Sequence, residues 1–136
     1  MIGLVLVAHA GLSEEFIKTT GMILGQPLSA VAGVAINAMD NPAQVAKEIQ
    51  DAVKKVDDGD GVVILTDMFG GTPTNVALSF LKEGSVEVVS GMNLPMLLMF
   101  VESREGSVLS ELALSLKQAG REHISLASDI LKGNGN

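Results

Sequence analysis

The sequence predicts an α/β fold: a doubly wound, mainly parallel four-stranded sheet in the order 2-1-3-4, flanked by helices. Three observations lead there. Short, continuous apolar runs such as Ile2-Gly3-Leu4-Val5-Leu6-Val7-Ala8 and Val62-Val63-Ile64-Leu65 have the composition of strands covered on both faces, not the alternation of a half-solvated sheet. Such runs alternate with segments of helical spacing, so the chain reads β, α, β, α, β, α, β. Its 136 residues fit one domain, and 47% are hydrophobic while only 3% are aromatic, which demands an aliphatic core.

The first apolar run gives way to His9-Ala10-Gly11. Ser13 then reads as a helix cap, Glu14 and Glu15 suit the positive end of the helix dipole, and Leu12, Phe16, Ile23 and Leu24 follow helical spacing toward Gly25. Val31 to Ile36 is the second strand. Asn41 and Pro42 open a helix with the apolar stripe Val45, Ile49, Ala52, Val53 and Val56, closed by the acidic turn Asp57-Asp58-Gly59-Asp60. The strand from Val62 to Thr66 follows, then a helix from about Pro73 to Leu81 and a strand from Val86 to Val89. Asn93 to Phe100 reads as a short apolar helix and Ser107 to Leu131 as one long helical stretch. Gly133-Asn134-Gly135-Asn136 reads as a frayed tail. No repeat or linker interrupts this series, so residues 1–136 are expected to form a single domain. Right-handed crossovers make the first and third strands neighbours at the switch point, where ligands of open α/β sheets gather. Their carboxyl ends carry His9 and Asp67.

Composition removes several classes of function. A net charge of −7 repels phosphate backbones, and the absence of Trp and Tyr removes most base-stacking platforms, so nucleic acid is not an expected partner. Without cysteine there is no disulfide, thiolate nucleophile or cysteine metal site. The amino terminus lacks the basic region of a signal peptide. The uncharged stretch from Thr19 to Met39 is interrupted by three glycines, Gln26, Pro27 and Asn37, so no membrane insertion is expected. A soluble, cytoplasmic protein is the expectation.

The chemistry lies in the pairing. A neutral imidazole attacks through one ring nitrogen when a carboxylate accepts a hydrogen bond from the other, and Asp67 can do this for His9. Phosphoryl transfer asks for little beyond in-line positioning and donors for the equatorial oxygens. The turn Gly70-Gly71-Thr72 offers backbone amides and a hydroxyl, Pro73 opens the following helix, and Asn75 adds a polar contact or braces the turn. Each feature alone has a plainer reading: a histidine at a strand end is more often structural, an Asp there caps a helix, and Gly-Gly-Thr-Pro is a common turn. Their combination carries the argument. His123, near Arg121 and Glu122, reads as solvent-facing, and Met92, Met96 and Met99 as fillers of core or interface gaps. No metal or cofactor is expected. A magnesium-dependent receiver or hydrolase would need an acidic pocket after the first strand, where His9 stands instead.

These segments resemble the mannose-type enzyme IIA phosphocarriers of the bacterial phosphoenolpyruvate-dependent sugar phosphotransferase system. The likeness rests on His9, on Thr66-Asp67-Met68-Phe69-Gly70-Gly71-Thr72-Pro73-Thr74-Asn75, on Ser90-Gly91-Met92-Asn93-Leu94-Pro95-Met96-Leu97, and on Gly120-Arg121-Glu122. It implies that His9 accepts a phosphoryl group on Nε2 from the general histidine phosphocarrier protein and passes it to an enzyme IIB component for sugar uptake, with Asp67 orienting the ring. It also implies a homodimer, with a further carboxyl-terminal element exchanged or packed. The alternative is a regulatory phosphorylation-sensing module or a phosphoryl donor to a dihydroxyacetone kinase. The chain departs from the family pattern twice. Ala8-His9-Ala10 stands where Thr-His-Gly is common, and Thr72 stands where Ser is usual. It ends without the Ala/Pro-rich linker and IIB domain of fused members, so a separate IIA protein is expected.

Overall fold

β1 (Gly3–His9) lies between β2 (Val31–Ile36) and β3 (Val62–Thr66), and β4 (Val86–Ser90) completes an all-parallel sheet in the order β2-β1-β3-β4. This computed structural model describes residues 1–133, with only the backbone of residues 72–74; the tail expected at Asn134-Gly135-Asn136 lies outside the described residues. Val5 pairs with Ala32 on one side and Ile64 on the other, and Ile64 pairs with Val88. Connecting and flanking the strands are α1 (Leu12–Leu24), α2 (Pro42–Val56), α3 (Thr72–Leu78), α4 (Leu94–Ser103), α5 (Leu109–Glu122) and α6 (Ala127–Leu131).

Strand alternation divides the core into two layers. Leu4, Leu6, Val63 and Leu65 pack with Leu97, Phe100, Leu112 and Leu116 of α4 and α5, with Phe16 and Ile17 of α1 against them. Val5, Val7, Ile64 and Ile36 pack instead with Val45, Ile49, Ala52 and Val56 of α2 and with Ala77 of α3. The expected stripe of α2 thus faces the sheet, with Val53 at its margin. Met92 and Met96 fill the first layer, and Met99 packs at its edge. Asn41 caps α2 through the Ala43 amide, and Asn93 caps α4 through the Met96 amide. Arg104, 4% exposed, donates to the Ser29 carbonyl at 2.6 Å and ties the end of α4 to the loop before β2.

Three local expectations are overturned. Gly11, not Ser13, occupies the cap position of α1; Ser13 is buried and its hydroxyl donates to the Val34 carbonyl at 3.5 Å. Leu12 and Ile23 face outward, while Ser13 and Thr20 are buried toward the sheet. The cause lies across the interface: a Cβ at Gly33 of β2 would come within 3.0 Å of the Ser13 hydroxyl and 3.3 Å of the Ile17 terminal methyl, so this close approach selects small residues. The long helical stretch from Ser107 to Leu131 is two helices. His123 ends α5, its Nδ1 lying 2.8 Å from the Ala119 carbonyl that its own amide also reaches, and the chain turns before α6. α3 also closes at Leu78, three residues before the expected Leu81.

Candidate functional site

His9 and Asp67 leave adjacent parallel strands at the same edge and meet directly. His9 Nδ1 lies 2.8 Å from Asp67 Oδ2, and the His9 amide donates to the same oxygen at 3.0 Å. The second carboxylate oxygen accepts from the Met68 amide at 2.9 Å. Burial opposes ionisation of Asp67, but the contacts from the His9 amide, the His9 ring and the Met68 amide outweigh it and hold the carboxyl below its ordinary range. An ionised carboxylate only accepts hydrogen bonds, so it fixes a proton on Nδ1 and leaves the Nε2 lone pair of the neutral ring available. The Asp67 side chain is 13% exposed and that of His9 is 51% exposed, so the carboxylate is sheltered while the ring faces solvent.

The backbone turns sharply behind His9. Ala10 adopts φ +51°, a left-handed conformation that glycine adopts freely and alanine only at a cost, and its amide donates to the Ile36 carbonyl at 2.8 Å. Beyond Asp67, Gly70 has φ +129°, and Gly71 is extended at the cap position of α3, its carbonyl accepting from the Asn75 amide at 2.9 Å. The chain thus turns from β3 into α3 beside the His9–Asp67 pair. Asn75 is exposed on α3. The hydroxyl of Thr72 lies outside the described side chains. His123 is exposed, as expected.

The sequence reading missed three features of this edge. Met68 and Phe69 are 56% and 41% exposed beside Asp67, apolar surface that periodicity cannot assign because they sit in a turn. The left-handed Ala10 carries no glycine to announce it. Thr66, read only as a strand residue, has a buried hydroxyl without a hydrogen-bond partner. Two clefts, of about 490 and 530 Å³, run along the edge strands β2 and β4, and His9 lines neither. Among the described residues no group of three His, Asp or Glu side chains could hold a metal ion, and no helix is long and apolar enough to cross a membrane.

The family model described as PTS system fructose IIA component matches residues 3–117. The chain is 29% identical over 133 residues to the fructose-specific EIIA component of Bacillus subtilis, a match covering 97% of this chain and 90% of that protein. It is 28% identical over 125 residues to the mannose-specific EIIAB component of Escherichia coli, covering 90% of this chain but only 38% of that longer protein. Among solved structures, the phosphotransferase system component EIIA of Streptococcus agalactiae is similar with a TM-score of 0.82 at 28% identity, covering 94% of this chain and 98% of that one.

Proposed function

Because this chain belongs to the mannose-type enzyme IIA family of the sugar phosphotransferase system, whose work is phosphoryl transfer in sugar uptake, we propose that it is a phosphohistidine carrier with His9 as the acceptor. The general histidine phosphocarrier protein is the donor and an enzyme IIB component the receiver, in the cytoplasm. The single observation that carries this reading is the 2.8 Å contact between His9 Nδ1 and Asp67, which leaves Nε2 as the nucleophile.

In the forward step the Nε2 lone pair of neutral His9 attacks the donor's phosphorus in line. The new N–P bond forms as the donor's N–P bond breaks, and that electron pair returns to the donor ring, which leaves as a neutral imidazole that keeps the proton on its other nitrogen. His9 retains its Nδ1 proton and takes on positive charge opposite the Asp67 carboxylate. Gly70, Gly71 and Thr72 bind the phosphoryl oxygens at the turn into α3, and Asn75 supports that turn. The step needs no metal or cofactor.

The exposure of His9 favours exchange with a macromolecule. An enzyme acting on a small substrate sets its reacting group in a concave pocket, whereas a carrier presents its nitrogen to another protein's phosphohistidine. Residues 1–136 act as one IIA domain and as a homodimer. The dimer is supported by the apolar carboxyl-terminal surface, where Ile124, Leu126, Ile130 and Leu131 are exposed. Incubation with phosphoenolpyruvate, enzyme I and the general phosphocarrier protein is expected to add one acid-labile, base-stable phosphoryl group by intact mass. Failure to label under conditions that label a known carrier would overturn the assignment.

A further inference from the structure

Among the described residues one buried side-chain polar atom has no hydrogen-bond partner, and it is the Thr66 hydroxyl. Thr66 is wholly inaccessible and stands at the last position of β3, immediately before Asp67. Its carbonyl is fully used, accepting from the Gly91 and Met92 amides at 3.0 Å each. The hydroxyl is not. Buried hydroxyls are nearly always paired, because an unpaired one has given up its bonds to water without replacement, whereas valine of the same shape would lose nothing.

The location gives this orphan a meaning. Thr66 pairs with Val7 in the ladder between β1 and β3, and His9 follows Val7 by two residues. Alternation therefore sets the His9 and Thr66 side chains on one face of the sheet, offset by about 7 Å along the strand direction. That is the face covered by α2 and α3, and α3 begins just after Gly71. Thr66 thus lies one layer beneath the reactive edge, under the turn that follows Asp67.

We propose that Thr66 is a positioning residue of the phosphorylated state, its hydroxyl donating, directly or through one water, to an oxygen of the phosphoryl group on His9. The hydroxyl is unpartnered only while His9 is unmodified. A bond to an anionic oxygen is stronger than one between neutral groups, so the exchange favours the phosphorylated form. The inference rests on the carrier reading above and adds a residue beneath the turn to it.

The test compares the wild-type chain with Thr66→Val and Thr66→Ser, each phosphorylated with phosphoenolpyruvate, enzyme I and the general phosphocarrier protein. Two quantities are read: the half-life of the phosphohistidine and the thermal midpoint of the unmodified protein. Thr66→Val is expected to leave the midpoint unchanged or raise it and to shorten the half-life by at least about tenfold, while Thr66→Ser stays close to wild type. A wild-type half-life in Thr66→Val would overturn the proposal while leaving the carrier reading intact. So would Thr66→Ser behaving like Thr66→Val, which would trace the effect to the methyl group. A Thr66→Val chain that no longer folds would also overturn it, by giving the hydroxyl a structural role. Failure to label the wild-type chain would overturn the carrier reading, and this inference with it.

Discussion

At the scale of the residue, His9 and Asp67 form a contact in which the ring is exposed and the carboxylate sheltered, and the proposed carrier role divides between them. His9→Ala is expected to abolish phosphoryl acceptance while leaving the fold intact, with only the small fall in unfolding midpoint that follows from losing the ring's contact with Asp67, because the ring is 51% exposed and lies outside both core layers. Labelling of that variant by intact mass would move the acceptor elsewhere. Asp67→Asn keeps the size of the side chain and removes the charge that balances the ring, so transfer should slow by about 10–100-fold, measured as the rate of label uptake. The pH dependence follows from the lowered pKa of Asp67. A carboxyl held below its unfolded value of about 4 stabilises the fold fully above that value and loses the contribution as pH falls through the lower folded value. Urea unfolding should therefore show wild type more stable than Asp67→Asn near neutrality, with the advantage vanishing in acid; an advantage that grew in acid would contradict the assignment. Ala10→Gly should gain up to about 1 kcal/mol by the same measurement, relief of the left-handed backbone being partly offset by the entropy of glycine.

At the scale of the element, the strands and α2 were legible because their sequence signals coincide with their packing. The runs of β1 and β3 are apolar up to their last residues, His9 and Thr66, and buried throughout apart from His9, and the stripe of α2 faces the sheet. The sequence misled for α1, because helical spacing of large apolar residues presumes that the large ones face the core. There Gly33 brings the helix close, and Ser13 fits where a leucine could not. The break after α5 was equally hidden, since His123 ends the helix through its own ring and no glycine or proline marks the place. α5 nevertheless anchors one face through fully buried Leu116. Leu116→Ala should cost about 3 kcal/mol of stability in urea unfolding. A loss below about 1 kcal/mol would mean that the site can collapse around the missing side chain.

At the scale of the whole molecule, light scattering of the purified chain is expected to give twice the chain mass, and Ile130→Asp to shift it toward the monomer; a wild-type monomer would refute the dimer. The sequence by itself determined the layered sheet, its strand order, and the His9–Asp67 pair, because apolar strands alternating with helices admit few parallel topologies and right-handed crossovers set two strand ends side by side. It also marked the glycine turn after Asp67. The tertiary structure alone decided which oxygen of Asp67 meets the ring, that Ala10 bends left-handed, which face of α1 is buried, and that the Thr66 hydroxyl has no partner. Those facts depend on distances across the sheet and on what each neighbour leaves room for, whereas sequence periodicity reports only which residues share a face.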